Sequence, residues 1–291
     1  GGRAARAGAG AGALALTAGW SIEAERYAAC YAKGLASAAV PAAAVASASS
    51  GMLAERALLL YQYEICPFCN KVKSLLDYFD VPYSTLDVNP LTKSELKFSV
   101  YKKVPVLTAS GGVQINDSAD ILTFLLSELR AAGALPESST FASPEALKWS
   151  TWVDKELAVY IYPNITRSYN ESFEAFGYVE TVPHFTMVDK LSNRYLGAVA
   201  MYFAQGKIKK KYGIVDERAE MLVKLREWTD ALGKKNFLGG EQPNLADLCV
   251  FGCLRGIKDT TTYAEIMRES DILPWYQRVE AAVGSSARIK R

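Results

Sequence analysis

The run YQYEICPFCNKV, residues 61–72, places two thiols three residues apart, Cys66 and Cys69. Two cysteines at that spacing can exchange electrons as a dithiol, or one can attack a bound substrate while the other releases it. They can also be the remains of such a site on a chain that now does something else. Pro67 suits the first turn of a helix, where its missing N–H is needed least. Cys66 then stands at the helix N-terminus. Free N–H groups and the helix dipole favour the thiolate there and lower the pKa of the thiol. Cys69, one turn inside, is placed to resolve a mixed disulfide.

Zinc half-sites share the Cys-x-x-Cys spacing, but no second pair with suitable chemistry follows. Cys249 and Cys253, four apart on an expected helix, read as core residues. The chain has one histidine, His184, which argues against a Cys/His zinc site or a Ser-His-Asp triad. His184 is expected to be structural or at the surface.

The elements around the cysteines follow from periodicity. ALLLYQY is a short apolar run that suits a buried strand. CPFCNKVKSLLDYF repeats Val72, Leu75, Leu76 and Phe79 at helical spacing. PYSTLDV reads as a strand and LTKSELKFS as a short helix or turn. VPVLTA and VQI read as strands joined at Ser110-Gly111-Gly112, and DSADILTFLLSELR as a helix capped by Asn116 or Asp117. The order β-α-β-α-β-β-α is that of the thioredoxin fold. In thioredoxin-like proteins a proline placed like Pro105 is cis, and the residue before it, here Val104, offers its backbone to an extended peptide such as glutathione. A cis bond costs little at X-Pro, and proline is otherwise rare inside strands. Asp117 and Ser118 at a helix start are expected to receive the γ-glutamyl end, its ammonium on Asp117 and its carboxylate on Ser118.

Beyond a Pro/Ser/Ala-rich linker, residues 132–144, the patterns are almost all helical to the end of the chain. PEALKWSTWVDKELAVYIYPNI sets Leu147, Trp152, Leu157 and Ile161 near one face, and MVDKLSNRYLGAVAMYFAQGKIKKKYGI reads as a second long helix with a small-residue patch at 197–200. Two more follow, DERAEMLVKLREWTDAL and PNLADLCVFGCLRGI. In the latter Asn244 and Asp247 form a capping-box variant, with Pro243 and Leu248 as its staple. The expected architecture is an α/β domain at 56–131 followed by an all-helical domain at 145–291.

Composition bounds the rest. The 291 residues make room for about two domains. A net charge of +2 gives no basic field of the kind nucleic-acid binding needs. The cluster Lys207, Lys209, Lys210 and Lys211 is expected to be a solvated helix end. Five cysteines, Cys30 the fifth, make no secreted disulfide framework and fit a reducing intracellular or organellar compartment. Residues 1–55 are rich in Ala, Gly and Ser. The uncharged stretch Ala7–Ile22 falls just short of the ~17–25 residues that span a bilayer. The tail is expected to be a membrane-associated or partner-docked anchor, a flexible tail or a residual targeting segment.

A thioredoxin/glutaredoxin-like domain followed by an all-helical one resembles the glutathione-transferase architecture. NLADL is similar to that family's capping motif. LYQYEICPFCNKV, VNPLTKSELKFSVYKKVPVL, INDSADI, YPNI, YLGAVAMY, FLGGEQPNLADL and PWYQRVE resemble, more narrowly, the membrane-associated prostaglandin E synthase type-2 family, from about Leu58 to Val283. The resemblance implies a homodimer with an N-terminal membrane anchor that isomerises prostaglandin endoperoxide H2 to E2 with a thiol. It implies glutathione, and in some forms haem, in the cleft between the domains. Cys66 would be the reactive thiol, Tyr63 its support, and Val104, Pro105, Asp117 and Ser118 the glutathione site. Ala119 departs from the family's second serine. The leading expectation is a glutathione-dependent isomerase or thiol transferase acting on a small hydrophobic or disulfide substrate, in an organelle, mitochondrial and membrane-associated. The competing one is an accessory or scaffold subunit of a larger membrane complex. A general glutaredoxin fits less well, because a large helical domain narrows the cleft.

Overall fold

The computed structural model describes residues 56–289. The expected N-terminal tail or anchor, residues 1–55, and with it Cys30, lie outside the described residues. Four strands, β1 (Leu58–Gln62), β2 (Tyr83–Asp87), β3 (Val106–Ala109) and β4 (Val113–Asn116), form one sheet in the order β2-β1-β3-β4. β1 runs parallel to β2 and antiparallel to β3, and β3 pairs antiparallel with β4. Leu58 and Leu60 of the central strand are buried. Helix α1 (Pro67–Tyr78) buries Val72, Leu75 and Leu76, and α2 (Ser118–Ala131) buries Ile121, Leu122, Leu125, Leu126 and Leu129. That is the thioredoxin-like order. The helix or turn expected after β2 is a single 3-10 turn, Ser94–Leu96. The chain's last described residues extend the sheet at the β2 edge: Ile289 N–H donates to the Tyr83 carbonyl at 2.8 Å.

The second half is helical: α3 (Pro144–Trp152), α4 (Ala158–Ile165), α5 (Tyr169–Ala175), α6 (Met187–Ser192), α7 (Ala198–Tyr212), α8 (Glu217–Leu232), α9 (Leu245–Arg255), α10 (Thr261–Glu269) and α11 (Leu273–Val283). Both long helices expected from the sequence carry a π-helical turn, Val153–Leu157 between α3 and α4 and Asn193–Gly197 between α6 and α7. An extra residue per turn rotates the face that follows it. Ahead of the first of these turns Ala146 and Ser150 are buried while Leu147 and Trp152 are only half-buried, and Val153, Leu157 and Ile161 are buried within and beyond it. The small-residue patch does serve close packing: a Cβ on Gly197 would sit 2.7 Å from the Phe176 ring. The 132–144 linker is packed rather than loose. It buries Leu135 and Phe141, and the Phe141 ring meets Tyr78 and Phe79 of the α/β half.

Helix α9 joins the two halves. It is buried along nearly its whole length and lies directly on α1. Glycine permits that approach: a Cβ on Gly252 would meet the Asn70 carbonyl oxygen at 2.6 Å. The capping box at its start is present, and the Asp247 carboxylate also accepts from Leu238 N–H at 3.0 Å and Trp275 Nε1 at 3.0 Å. Two partly buried ion pairs cross the same boundary, Arg255 to the buried Asp77 at 2.7 Å and the buried Lys71 to Asp154. Cys249 and Cys253 are buried in this core, as expected. Among the described residues no helix is long and apolar enough to cross a membrane. Exposed large apolar side chains gather on one run, from Met187 through Leu191 and Leu196 to Phe203 on α6 and α7.

Candidate active site

Strand register brings the predicted residues together. Tyr61 lies opposite Val106, and Val106 opposite Asn116. The segments just past those positions, Tyr63–Cys66, Val104–Pro105 and Asp117–Ser118, therefore meet at one end of the sheet. The Val104–Pro105 bond is cis, as expected. Asp117 N–H donates to the Pro105 carbonyl at 3.2 Å, and Tyr63 and Val104 pack against the same small cluster of Val88, Leu96 and Val106.

Cys66 is the N-cap of α1. Its Sγ accepts from Cys69 N–H at 3.4 Å, and its own N–H donates to the Tyr63 carbonyl at 3.0 Å. Cys66 is partly exposed, whereas Cys69 is fully buried. Burial pushes the Cys66 thiol up. The hydrogen bonds from Cys69 and from Phe68 N–H, with the nearby Lys73 ammonium, outweigh it and hold Cys66 below its ordinary value. Burial, and then the hydrogen bond to Cys66, push Cys69 well above. The thiol held below its ordinary value is thus the partly exposed one at the helix start, and the one pushed above it is the buried one a turn inside.

Asp117 caps α2, its carboxylate accepting from Ala119 N–H at 2.8 Å. It does so at φ +72° and ψ 140°, a strained conformation outside the left-handed helical well that aspartate tolerates. Ser118 beside it is buried. A carboxylate, a hydroxyl and the free N–H groups of a helix start together form a receptor for a zwitterionic amino-acid end.

Three residues with a part in this site carry no motif. Asn70 donates from Nδ2 to the Glu64 carbonyl at 2.7 Å and to the Cys66 carbonyl at 3.0 Å, so it clamps the turn that presents the thiol. Lys73 pairs with Glu64 at 2.9 Å. Burial raises the Glu64 carboxyl, but Lys73 and Arg288 hold it down at about 2. Tyr178, on the 3-10 turn Phe176–Thr181 of the helical half, packs against Phe176, Val179 and Val182 and interacts electrostatically with Tyr63, Asp87 and both thiols. The one available sequence signal was Gly252, a glycine inside a helix pattern, which marks close packing. His184 is structural: its Nε2 lies 2.9 Å from the Asp87 carbonyl and fastens the segment after Tyr178 to the end of β2.

The glutathione S-transferase N-terminal domain family matches residues 60–132. Prostaglandin E synthase 2 of Mus musculus is 34% identical to this chain over 269 residues, covering 78% of this chain and 70% of the mouse protein. Prostaglandin E synthase 2 of Danio rerio is 33% identical over 266 residues, covering 77% and 71%. Among solved structures, the β-etherase LigF of Sphingobium sp. strain SYK-6 superposes with a TM-score of 0.53 at 17% identity, covering 78% of this chain and 96% of that one. Glutathione S-transferase III in its apo form gives 0.50 at 18%, covering 79% and 93%. These two structures share the fold, a thioredoxin-like domain followed by a helical one.

Proposed function

The chain belongs to the prostaglandin E synthase 2 family, and on that premise we propose that it is a glutathione-dependent thiol enzyme that isomerises a cyclic endoperoxide, prostaglandin H2 by the name of its relatives. The observation that carries the reading is Cys66: a partly exposed thiol held below its ordinary pKa, at a helix N-terminus, on the sheet end shared by Val104–Pro105 and Asp117–Ser118. Glutathione binds with its backbone along Val104, its ammonium at Asp117 and its carboxylate at Ser118 and the N–H groups of α2. Its thiol then lies beside Cys66.

A thiolate, of Cys66 or of glutathione beside it, attacks one oxygen of the endoperoxide. The O–O bond breaks and the other oxygen leaves as an alkoxide. Loss of the C–H proton next to the sulfur-bound oxygen forms the ketone and returns the thiolate. The reaction is an isomerisation and needs no outside oxidant or reductant. Tyr63, whose hydroxyl is kept protonated chiefly by burial, is one source of the proton.

The residues present fit glutathione and do not offer a protein-ligated haem. The single histidine is engaged through Nε2 at Asp87, and the accessible thiol is the one the reaction uses. No step is routed through haem.

The test is paired. Cys66→Ser should lower glutathione-dependent turnover of prostaglandin H2 by about 10³-fold or more, as losing a nucleophile does elsewhere. Asp117→Ala should weaken glutathione binding in calorimetry by about 10- to 150-fold, the range for losing a charge-assisted hydrogen bond of ~1.5–3 kcal/mol. Full turnover by Cys66→Ser would refute the role of the thiol. Unchanged glutathione affinity in a folded Asp117→Ala chain would make Asp117 a helix cap only and favour the scaffold reading.

A further inference from the structure

The last described residues of the chain return to the turn that presents the thiol. Ser286 Oγ and Ala287 N–H both donate to one oxygen of Asp77, near the C-terminal end of α1, at 2.9 and 3.0 Å. The backbone then pairs with the β2 edge. Tyr83 N–H donates to the Ala287 carbonyl at 3.4 Å, and Ile289 N–H to the Tyr83 carbonyl at 2.8 Å. Between those two bonds stands Arg288, its backbone fixed on both sides. Its Nη1 lies 3.2 Å from Glu64 Oε2, and its Nη2 3.9 Å from Asp87 Oδ2.

Glu64 is two residues ahead of Cys66, and it is held at both ends. Its carbonyl accepts from Asn70 Nδ2 at 2.7 Å, and the same amide donates to the Cys66 carbonyl at 3.0 Å. Its carboxylate collects one donor from each of three elements: Gln62 Nε2 from the end of β1, Lys73 Nζ from α1 at 2.9 Å, and Arg288 from the terminal segment. Gln62 also donates to Asp87 Oδ1 at 3.2 Å, so one buried amide joins two carboxylates. Carboxylates so close repel, and two cations, Lys73 and Arg288, balance them. Removing one partner from such a set leaves a charge without compensation. Lys73 is also among the groups that lower the Cys66 pKa. Without Arg288, the Glu64 carboxylate falls to Lys73 alone and weakens the field of that lysine at the thiol.

We propose that Arg288 is a positioning residue for Cys66, acting through Glu64: the terminal segment, added to the β2 edge, braces the thiol turn from outside. The inference rests on the reading of Cys66 as the reactive thiol. Arg288 takes no part in bond making. It lies at the β2 edge of the sheet, with β1 and β3 between it and β4, the strand that leads into Asp117 and Ser118. Its removal should therefore change the thiol and leave the γ-glutamyl receptor alone. The pair is partly open to solvent, with Arg288 36% and Glu64 43% exposed, so the expected effect is modest.

Alkylation of Cys66 by iodoacetamide across a pH series tests this. Arg288→Gln should raise the Cys66 midpoint by about 0.5 unit and slow labelling below that midpoint by about two- to threefold, because the thiolate fraction falls tenfold for each pKa unit gained. The titratable groups that act on Cys66 directly, Tyr63, Cys69, Lys73 and Tyr178, are all retained in the variant. Glutathione affinity should stay within about twofold of wild type, since its receptor keeps every contact. Arg288→Lys, which keeps the charge, should recover most of the rate. In a Glu64→Gln background, Arg288→Gln should have no further effect on rate or midpoint, because the group it acts through is gone. Unchanged Cys66 kinetics in Arg288→Gln, with or without a lower urea midpoint, would make Arg288 a tie for the terminal segment only. No recovery with lysine, or an effect undiminished in the Glu64→Gln background, would show that it does not act through its charge on Glu64. Each of these results overturns the proposal. Alkylation needs neither glutathione nor prostaglandin H2, so the isomerase reading is judged separately, by Cys66→Ser.

Discussion

The molecule carries two pairs of thiols on two helices that touch, and only one pair is set up for chemistry. Cys66 and Cys69 begin α1, and Cys249 and Cys253 sit inside α9, which packs on it. Spacing barely separates them, at three residues against four. Position on the helix does. Cys66 is an N-cap with N–H groups pointing at its sulfur and a lysine nearby, so hydrogen bonds and charge overcome burial. In α9 the backbone N–H groups around the thiols are spent in the helix. Burial is the leading influence on both thiols, and it pushes both upward, although Lys71 pulls the other way. Ser150 Oγ, 3.2 Å from the Cys249 sulfur, supplies local polarity without access. A thiol becomes a reagent where a helix starts at a cleft and becomes filling where a helix runs through a core.

The two pairs are coupled through the helix contact, and the strongest way to break the comparison is to force the helices apart. A Cβ at Gly252 would stand 2.6 Å from the Asn70 carbonyl and 2.7 Å from Ser74 Oγ, neither of which is the free end of a long side chain. Gly252→Ala should therefore cost about 1–3 kcal/mol, as overpacked cores do, read as a lower urea midpoint. It should also slow alkylation of Cys66, because Asn70 is the residue that clamps the Cys66 turn. A normal midpoint with normal reactivity would show that the α9 contact does not hold the site.

A milder change sharpens the contrast. Cys253→Ala removes one buried sulfur and should cost about 1 kcal/mol, in line with small core truncations. Thermal unfolding would register it, while turnover of prostaglandin H2 in the folded protein should stay within twofold of wild type. A large loss of turnover without a loss of stability would give α9 a chemical role denied to it above.

How much of this was legible beforehand follows the same division. Cys66 at a helix start, Val104-Pro105 at a strand start and Asp117-Ser118 before a helix each announce a local backbone geometry, and each stands where its type and order suggested. The order of elements along the α/β half followed from the same local cues. The π turns at 153–157 and 193–197 did not, because an inserted residue changes the helix phase without changing composition. Asn70 and Tyr178 were missed for a different reason. Their parts depend on what lies across a turn or across the cleft, which periodicity does not encode. The packed state of 132–144 was hidden by its Pro, Ser and Ala content, although Leu135 and Phe141 were there to be read as anchors.

The central claim is that one of the four described thiols is acidic and open while the other three are not. Pulsed alkylation with iodoacetamide across a pH series, mapped to each cysteine by mass spectrometry, tests it most directly. A thiol whose pKa is depressed gains reactivity as pH rises through a value below the ordinary 9.0, and one whose pKa is raised stays silent there. Cys66 should label first, with its midpoint below 9.0, and Cys69, Cys249 and Cys253 should label only after denaturation. Preferential labelling of Cys69, or a Cys66 midpoint at or above the ordinary value, would contradict the account.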